Sequence, residues 1–409
     1  MSEHVLSNAK LVFEKEQFKG SIKFNNGIIT AIDKGNQTSK KSIDCNGDFV
    51  CPGLIELHTD NLERHMEPRP GVTWPLDAAL LSHDSELASV GITTVYDALR
   101  VGSIISETKK SYPKYAKKIV KLFLEMLKFN FLRVSHFIHL RAEICSETLI
   151  EELDEFSKED RIGILSMMDH TPGQRQFRDI SKMAEYLKRK YSMSKNEINQ
   201  HFNLLYQLQE KNGKIHKQKI LECSKYLNTV LASHDDTTLN DVLSSKKMGV
   251  KLAEFPTTLE AAKASNKNGL MVIMGAPNLL RGKSHSGNLS AIDLVEEKTL
   301  SILSSDYMPS SLLLGAIKLG IISEDMCYGI ATVTSNPAKA AGIYEQTGSL
   351  KVGKNADVVI WSKNPFSVYA LVEKVFIDGA TAYDKDSNFQ PASDFDVGII
   401  SPNKNRIEE

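Results

Sequence analysis

Phe49-Val50-Cys51-Pro52-Gly53-Leu54-Ile55-Glu56-Leu57 runs straight into His58-Thr59-Asp60. A continuous apolar run of this length reads as a strand buried on both faces, the kind found in parallel sheets. Side chains two apart on a strand share a face, so His58 and Asp60 can point to one centre where the strand ends. The same pattern recurs along the chain, with apolar runs ending near His58, Asp97, Glu143, Met168, His234, Glu254, Met274 and Asp306. Helix-like segments separate them, and eight repeated βα units close a barrel.

The expected fold is therefore α/β, a TIM-like (β/α)8 barrel spanning residues 52–342. Residues 1–51 and 343–409 read instead as short strands and turns, marked by the hairpin signal Asn25-Asn26-Gly27 and by Asp357-Val358-Val359-Ile360-Trp361. Two all-β pieces at opposite ends of a chain can pair into one small β-sandwich domain. The polar stretch after about Asn388 reads as a loose tail. The charged segment from Lys182 to Tyr226 is long for one crossover and reads as two or three inserted helices covering the barrel after His170.

Composition narrows the function. With 41% hydrophobic residues, 25% charged residues and a net charge of -1, the 409-residue chain is globular and carries no global basic field for nucleic acid or anionic lipid. No signal peptide and no stretch of 18 apolar residues stands out. Cys45, Cys51, Cys145, Cys223 and Cys327 are scattered without a CxxC pair, as reduced core thiols in a cytoplasmic protein would be.

The strand ends carry His58, Asp60, Glu143, His170, His234 and Asp306. Three imidazoles and three carboxylates suit borderline or moderately hard divalent ions, zinc first, with manganese or iron as alternatives. Six donors exceed the need of one tetrahedral ion, so two ions sharing a carboxylate is the economical reading, and Glu143 is the candidate bridge. Asp306 is the candidate catalytic group that orients a water and carries its proton. Loops after strands seven and eight commonly hold phosphate in such barrels. Here Gly275-Ala276-Pro277-Asn278-Leu279-Leu280-Arg281-Gly282-Lys283-Ser284-His285-Ser286-Gly287 offers glycines, Arg281 and Lys283, while Arg64, Arg69, Arg175 and Arg178 stand on other strand-end loops. Arg141 and His65 are expected to brace ligands from behind.

Taken together, the split β domain, Asp44-Cys45-Asn46-Gly47-Asp48-Phe49-Val50-Cys51-Pro52-Gly53-Leu54-Ile55, the strand-eight Asp306 and Gly348-Ser349-Leu350-Lys351-Val352-Gly353-Lys354-Asn355-Ala356-Asp357 resemble the amidohydrolase superfamily. That superfamily opens with HxH, which is altered here to His58-Thr59-Asp60. It also places its later histidines on strands five and six, whereas the present count gives four and five. Either a strand is uncounted before His170 or this branch differs. His58-Thr59-Asp60-Asn61-Leu62-Glu63-Arg64-His65, Met168-Asp169-His170-Thr171-Pro172-Gly173-Gln174-Arg175-Gln176-Phe177, Ser233-His234-Asp235-Asp236-Thr237-Thr238 and Met274-Gly275-Ala276-Pro277-Asn278 look like one branch, the phosphonate-metabolism diphosphatases of the carbon–phosphorus lyase pathway. The resemblance implies metal-dependent hydrolysis of α-D-ribose 1-methylphosphonate 5-triphosphate to the 5-phosphate plus diphosphate. The implied partner is that small molecule rather than nucleic acid or membrane, and self-association into a homo-oligomer is compatible with it. The competing readings are hydrolysis of a cyclic amide or deamination of a heterocycle, and a metal-free scaffold.

Overall fold

The computed structural model describes residues 3–35, 41–106, 114–284, 288–363 and 370–386. Residues 285–287 of the glycine-containing loop and the expected tail after Asn388 lie outside them. Eight parallel strands form one sheet in chain order: Leu54–Thr59, Ile92–Val101, Ser135–Glu143, Ile162–Met168, Val230–His234, Leu252–Glu254, Met271–Gly275 and Ile302–Ser304. The ring closes where Thr59 bridges Asp306, with the Thr59 hydroxyl donating to the Asp306 carbonyl at 2.7 Å. The first strand is buried at all six positions, as expected of a parallel sheet covered on both faces.

Tyr96, Ile164, Ala232, Leu252, Ile273 and Ile302 belong to one buried cluster inside the ring. Ala232 and Leu252 each lie two residues before a polar strand end, so period-two alternation stacks an apolar layer beneath His234 and Glu254. Polar groups are thereby confined to the C-terminal mouth of the barrel.

The chain ends build a second eight-stranded sheet, in which Phe49–Pro52 pairs with both His4–Val12 and Val358–Lys363. Phe24 and Phe376, from strands well apart in that sheet, meet with ring centroids 5.0 Å apart, so the sheet folds over a common core. Gly53 joins the two units. A side chain there would come within 2.1 Å of the Thr93 hydroxyl, so the crossing accepts only glycine.

The inserted segment forms two helices, Ile180–Tyr191 and Lys195–Leu227. The longer begins at a capping box between Ser194 and Glu197 and ends at Asn228 in the left-handed conformation. Their apolar faces bury Met183, Leu187, Phe202 and Leu205 with Ile104 and Cys145 beside the barrel mouth. All five cysteines are buried, and among the described residues no helix is long and apolar enough to cross a membrane.

Candidate functional site

His58 lies in the first strand, His139 in the third, His234 at the end of the fifth and Glu254 at the end of the sixth. All four are 5% exposed or less. Glu254 sits between the imidazoles: one carboxylate oxygen lies 3.1 Å from His58 Nδ1 and 3.6 Å from His139 Nε2, and the other 3.2 Å from His234 Nδ1. Burial, reinforced by the positive charge of Arg141, holds His58 well below the usual imidazole range. Burial likewise pushes His234 down to about 3. Neutral imidazoles facing a carboxylate form a donor set that a divalent ion can take up, because each ring offers a lone pair.

A second group adjoins this one. His170 Nδ1 is paired with Glu143, and the His170 ring lies 6.5 Å from that of His234. Burial opposes ionisation of Glu143, but the His170 charge and hydrogen bond outweigh it and bring the carboxyl down to about 2. Asp235 approaches His234 Nε2 at 3.3 Å, and burial raises its carboxyl to about 7. Asp306 is raised to about 7 as well, by burial and then by the neighbouring charge of Asp60. Arg141 Nη1 lies 3.7 Å from Asp60, which fits the bracing role expected of it.

All six expected donors line one cavity of about 1060 Å3, together with Asp235. The geometry also amends the expectations. His170 follows the fourth strand and His234 ends the fifth, so no strand was uncounted. The carboxylate set among several imidazoles is Glu254, whereas Glu143 is paired with His170. Neither Glu254 nor His139 was singled out, although the signal existed. Glu254 ends an apolar run, and His139 shares a strand face with Arg141 and Glu143 by period two.

Of the expected phosphate contacts, Arg64, Arg69 and Arg281 line the cavity, joined by the unforeseen Arg100. Lys283, Arg178 and Arg175 are not among its described lining residues. Arg175 is engaged within the fold. Its backbone is in the left-handed region (φ 50°), and its guanidinium turns inward to donate to the His234 carbonyl at 2.6 Å and to Asp236 at 2.8 Å. It ties the His170 loop to the end of strand five. His65 reaches Glu86 at 2.8 Å rather than a candidate ligand.

The geometry accords with known proteins. The Amidohydrolase family model matches residues 49–382. Alpha-D-ribose 1-methylphosphonate 5-triphosphate diphosphatase of Escherichia coli (strain K12) is 37% identical over 359 residues, covering 87% of this chain and 94% of that protein. Among solved structures, dihydropyrimidinase from Brevibacillus agri NCHU1002 superposes with a TM-score of 0.60 at 12% identity, covering 94% of this chain and 95% of that one. N-acetylglucosamine-6-phosphate deacetylase from Pasteurella multocida gives 0.60 at 12%, covering 93% and 99%. These structures share the fold alone, while the family match and the bacterial relative span most of the chain: it belongs to the amidohydrolase family.

Proposed function

We propose that this chain is a metal-dependent diphosphatase that hydrolyses α-D-ribose 1-methylphosphonate 5-triphosphate to the 5-phosphate and diphosphate in phosphonate catabolism. The observation that carries the reading is the cavity itself, where an imidazole–carboxylate centre faces Arg64, Arg69, Arg100, Arg141 and Arg281. Guanidinium groups grip phosphate oxygens bidentately, and Arg69 and Arg281 stand in this cavity beside arginines that face Glu86, Asp60 and Glu143. The 37% identity to a diphosphatase over most of both chains supports the same substrate class.

His58, His139 and Glu254, with donor atoms within 4.8 Å of one another, fit one divalent ion, and His234 on the other oxygen of Glu254, with the Glu143–His170 pair, would offer donors to a second. When bound, two such ions, zinc first among the candidates, supply Lewis acidity toward the attacking water and the phosphoryl oxygens. The rest falls to the chain. Asp306, set above the centre by the closing bridge to Thr59, orients the water and takes its proton on a carboxylate oxygen. Arg141 holds Asp60 in register. Arg281, Arg64 and Arg69 neutralise the departing diphosphate as charge grows on it. Met183, Leu187 and Leu205 of the inserted helices wall the cavity and limit bulk water.

The test is diphosphate release from a ribose 5-triphosphate by protein stripped with a chelator and then reloaded, run beside a panel of cyclic amides and aminopyrimidines. The reading expects release only from the triphosphate and only after reloading. Turnover of a ring substrate alone would overturn it in favour of the commoner amidohydrolase chemistry.

A further inference from the structure

Behind the barrel wall lies a second cluster of imidazoles and carboxylates that the reaction does not use. His83 stands on the helix Leu76–Ser89, Asp97 on the second barrel strand and His136 on the third, and all three are 1% exposed or less. Their donor atoms lie close enough together to suggest a metal site. The hydrogen bonding argues otherwise.

Asn61 Nδ2 lies 3.1 Å from His83 Nδ1 and 2.9 Å from the Glu86 carboxylate. Glu86 only accepts, so the atom between them is the donating amide nitrogen, and His83 Nδ1 must accept. The His83 proton is then on Nε2, donated to Asp97 at 2.7 Å. Metal on Nε2 would require a proton on Nδ1 facing the amide N–H. Turning the amide over would set its oxygen against Glu86 instead. His136 faces Asp97 at 2.7 Å through Nδ1 and Asp84 at 3.4 Å through Nε2, so both its nitrogens carry protons. Asp84 also accepts from Arg133 at 3.3 Å. Two carboxylates are thus matched by one imidazolium and one guanidinium, and the cluster is neutral without an ion.

This network ends on the cavity wall. Asn61 opens the helix Asn61–Met66, whose cap residue Asp60 makes no capping side-chain hydrogen bond. Six residues cannot hold a helix by themselves. Glu86 continues the network to Arg64, 2.7 Å away, and Arg64 and Asp60 both line the cavity. We propose that His136, Asp97, His83, Asn61 and Glu86 form a metal-free brace, locked by protons, that positions Arg64 and Asp60 at the mouth of the site. These are positioning residues, and the kinetic consequence rests on the phosphate-binding reading above.

Three measurements on the full-length chain test the brace. Zinc added to chelator-stripped protein should leave the nitrogen-15 resonances of the His83 and His136 imidazoles in place, and coordination shifts on either ring would overturn the proposal. Nitrogen-15 NMR of the imidazoles should show His136 doubly protonated and His83 carrying its proton on Nε2 at neutral pH, whereas a deprotonated His136 would overturn it. Glu86→Gln, at the solvent-facing end where folding is least at risk, and His83→Gln should each lower kcat about tenfold with KM changed less, because Arg64 acts on charge that grows in the transition state. Unchanged kcat in Glu86→Gln would refute the link to Arg64. If wild type fails to hydrolyse any triphosphate, the functional reading falls, while the metal and NMR results still decide the brace.

Discussion

Glu254→Gln is the substitution whose effect follows most directly from the geometry. The two side chains have nearly equal volume, so the buried layer of Ala232 and Leu252 below keeps its packing. What changes is charge at the point where one carboxylate oxygen faces His58 at 3.1 Å and the other His234 at 3.2 Å. Removing one partner of a buried charged contact is worth about 3–5 kcal/mol. Applied to an ion held there, that is roughly a 10²- to 10⁴-fold loss of affinity. Glu143→Gln removes a carboxylate paired with His170 and should cost about 1.5–3 kcal/mol, the range for one charged hydrogen bond. The assay is zinc affinity of stripped protein by chelator competition, with circular dichroism to confirm that both variants fold. An equal loss in the two, or a larger one in Glu143→Gln, would refute the assignment of Glu254 as the shared carboxylate.

Other expectations follow from single contacts. Arg281→Ala should lower kcat/KM by about 2–4 kcal/mol, roughly 30- to 1000-fold, with metal content unchanged; near-wild-type kinetics would put that loop outside the site. Arg175→Ala removes the cation facing the 1%-exposed Asp236, which keeps only hydroxyl donors from Ser233 and Ser245, and should lower unfolding free energy by about 3 kcal/mol in denaturant titrations. Weaker substrate binding without that loss of stability would return Arg175 to the phosphate contacts expected from sequence. His136, facing Asp97 and Asp84, with Arg133 beyond Asp84 and the rings of His83 and Phe123 alongside, is raised from 6.5 to about 9 by those carboxylates against its burial. The folded state holds this proton more tightly than the unfolded one, so its contribution is complete below pH 6.5 and disappears as pH rises through about 9. A decline on the order of 3 kcal/mol across that window should appear in wild type and be absent from His136→Gln; parallel profiles would contradict it.

Much of the fold was legible because its signals are local. Apolar runs marked eight strands, six of them ending in polar residues, and even the three-residue strand ending at Glu254 was visible as such a run. The convergence of the six expected residues on one cavity was legible for the same reason, since the end of a barrel strand has only one place to point. Glu254 and His139 were overlooked because their partners are far away in sequence: His58 and Glu254 are 196 positions apart. Periodicity can show that a side chain faces inward, but it cannot show what it meets there.

The loop cations were harder for a different reason. Arg175, Arg178 and Lys283 lie where the backbone has no period, and direction depends on dihedral angles that sequence leaves open. At Arg175 the guanidinium reaches Asp236 from a backbone in the left-handed region. The brace was invisible for the opposite reason. His83, Asp97 and His136 lie within regular elements but face outward from the barrel, on a layer where apolar residues are the rule, and only the packed structure reveals that they answer one another.

Phosphorus NMR of the products formed from α-D-ribose 1-methylphosphonate 5-triphosphate tests the central claim most directly. The account predicts the 5-phosphate and intact diphosphate, formed in equal amounts and only by metal-loaded protein. Orthophosphate with a 5-diphosphate product, or an untouched triphosphate alongside turnover of a cyclic amide, would contradict it.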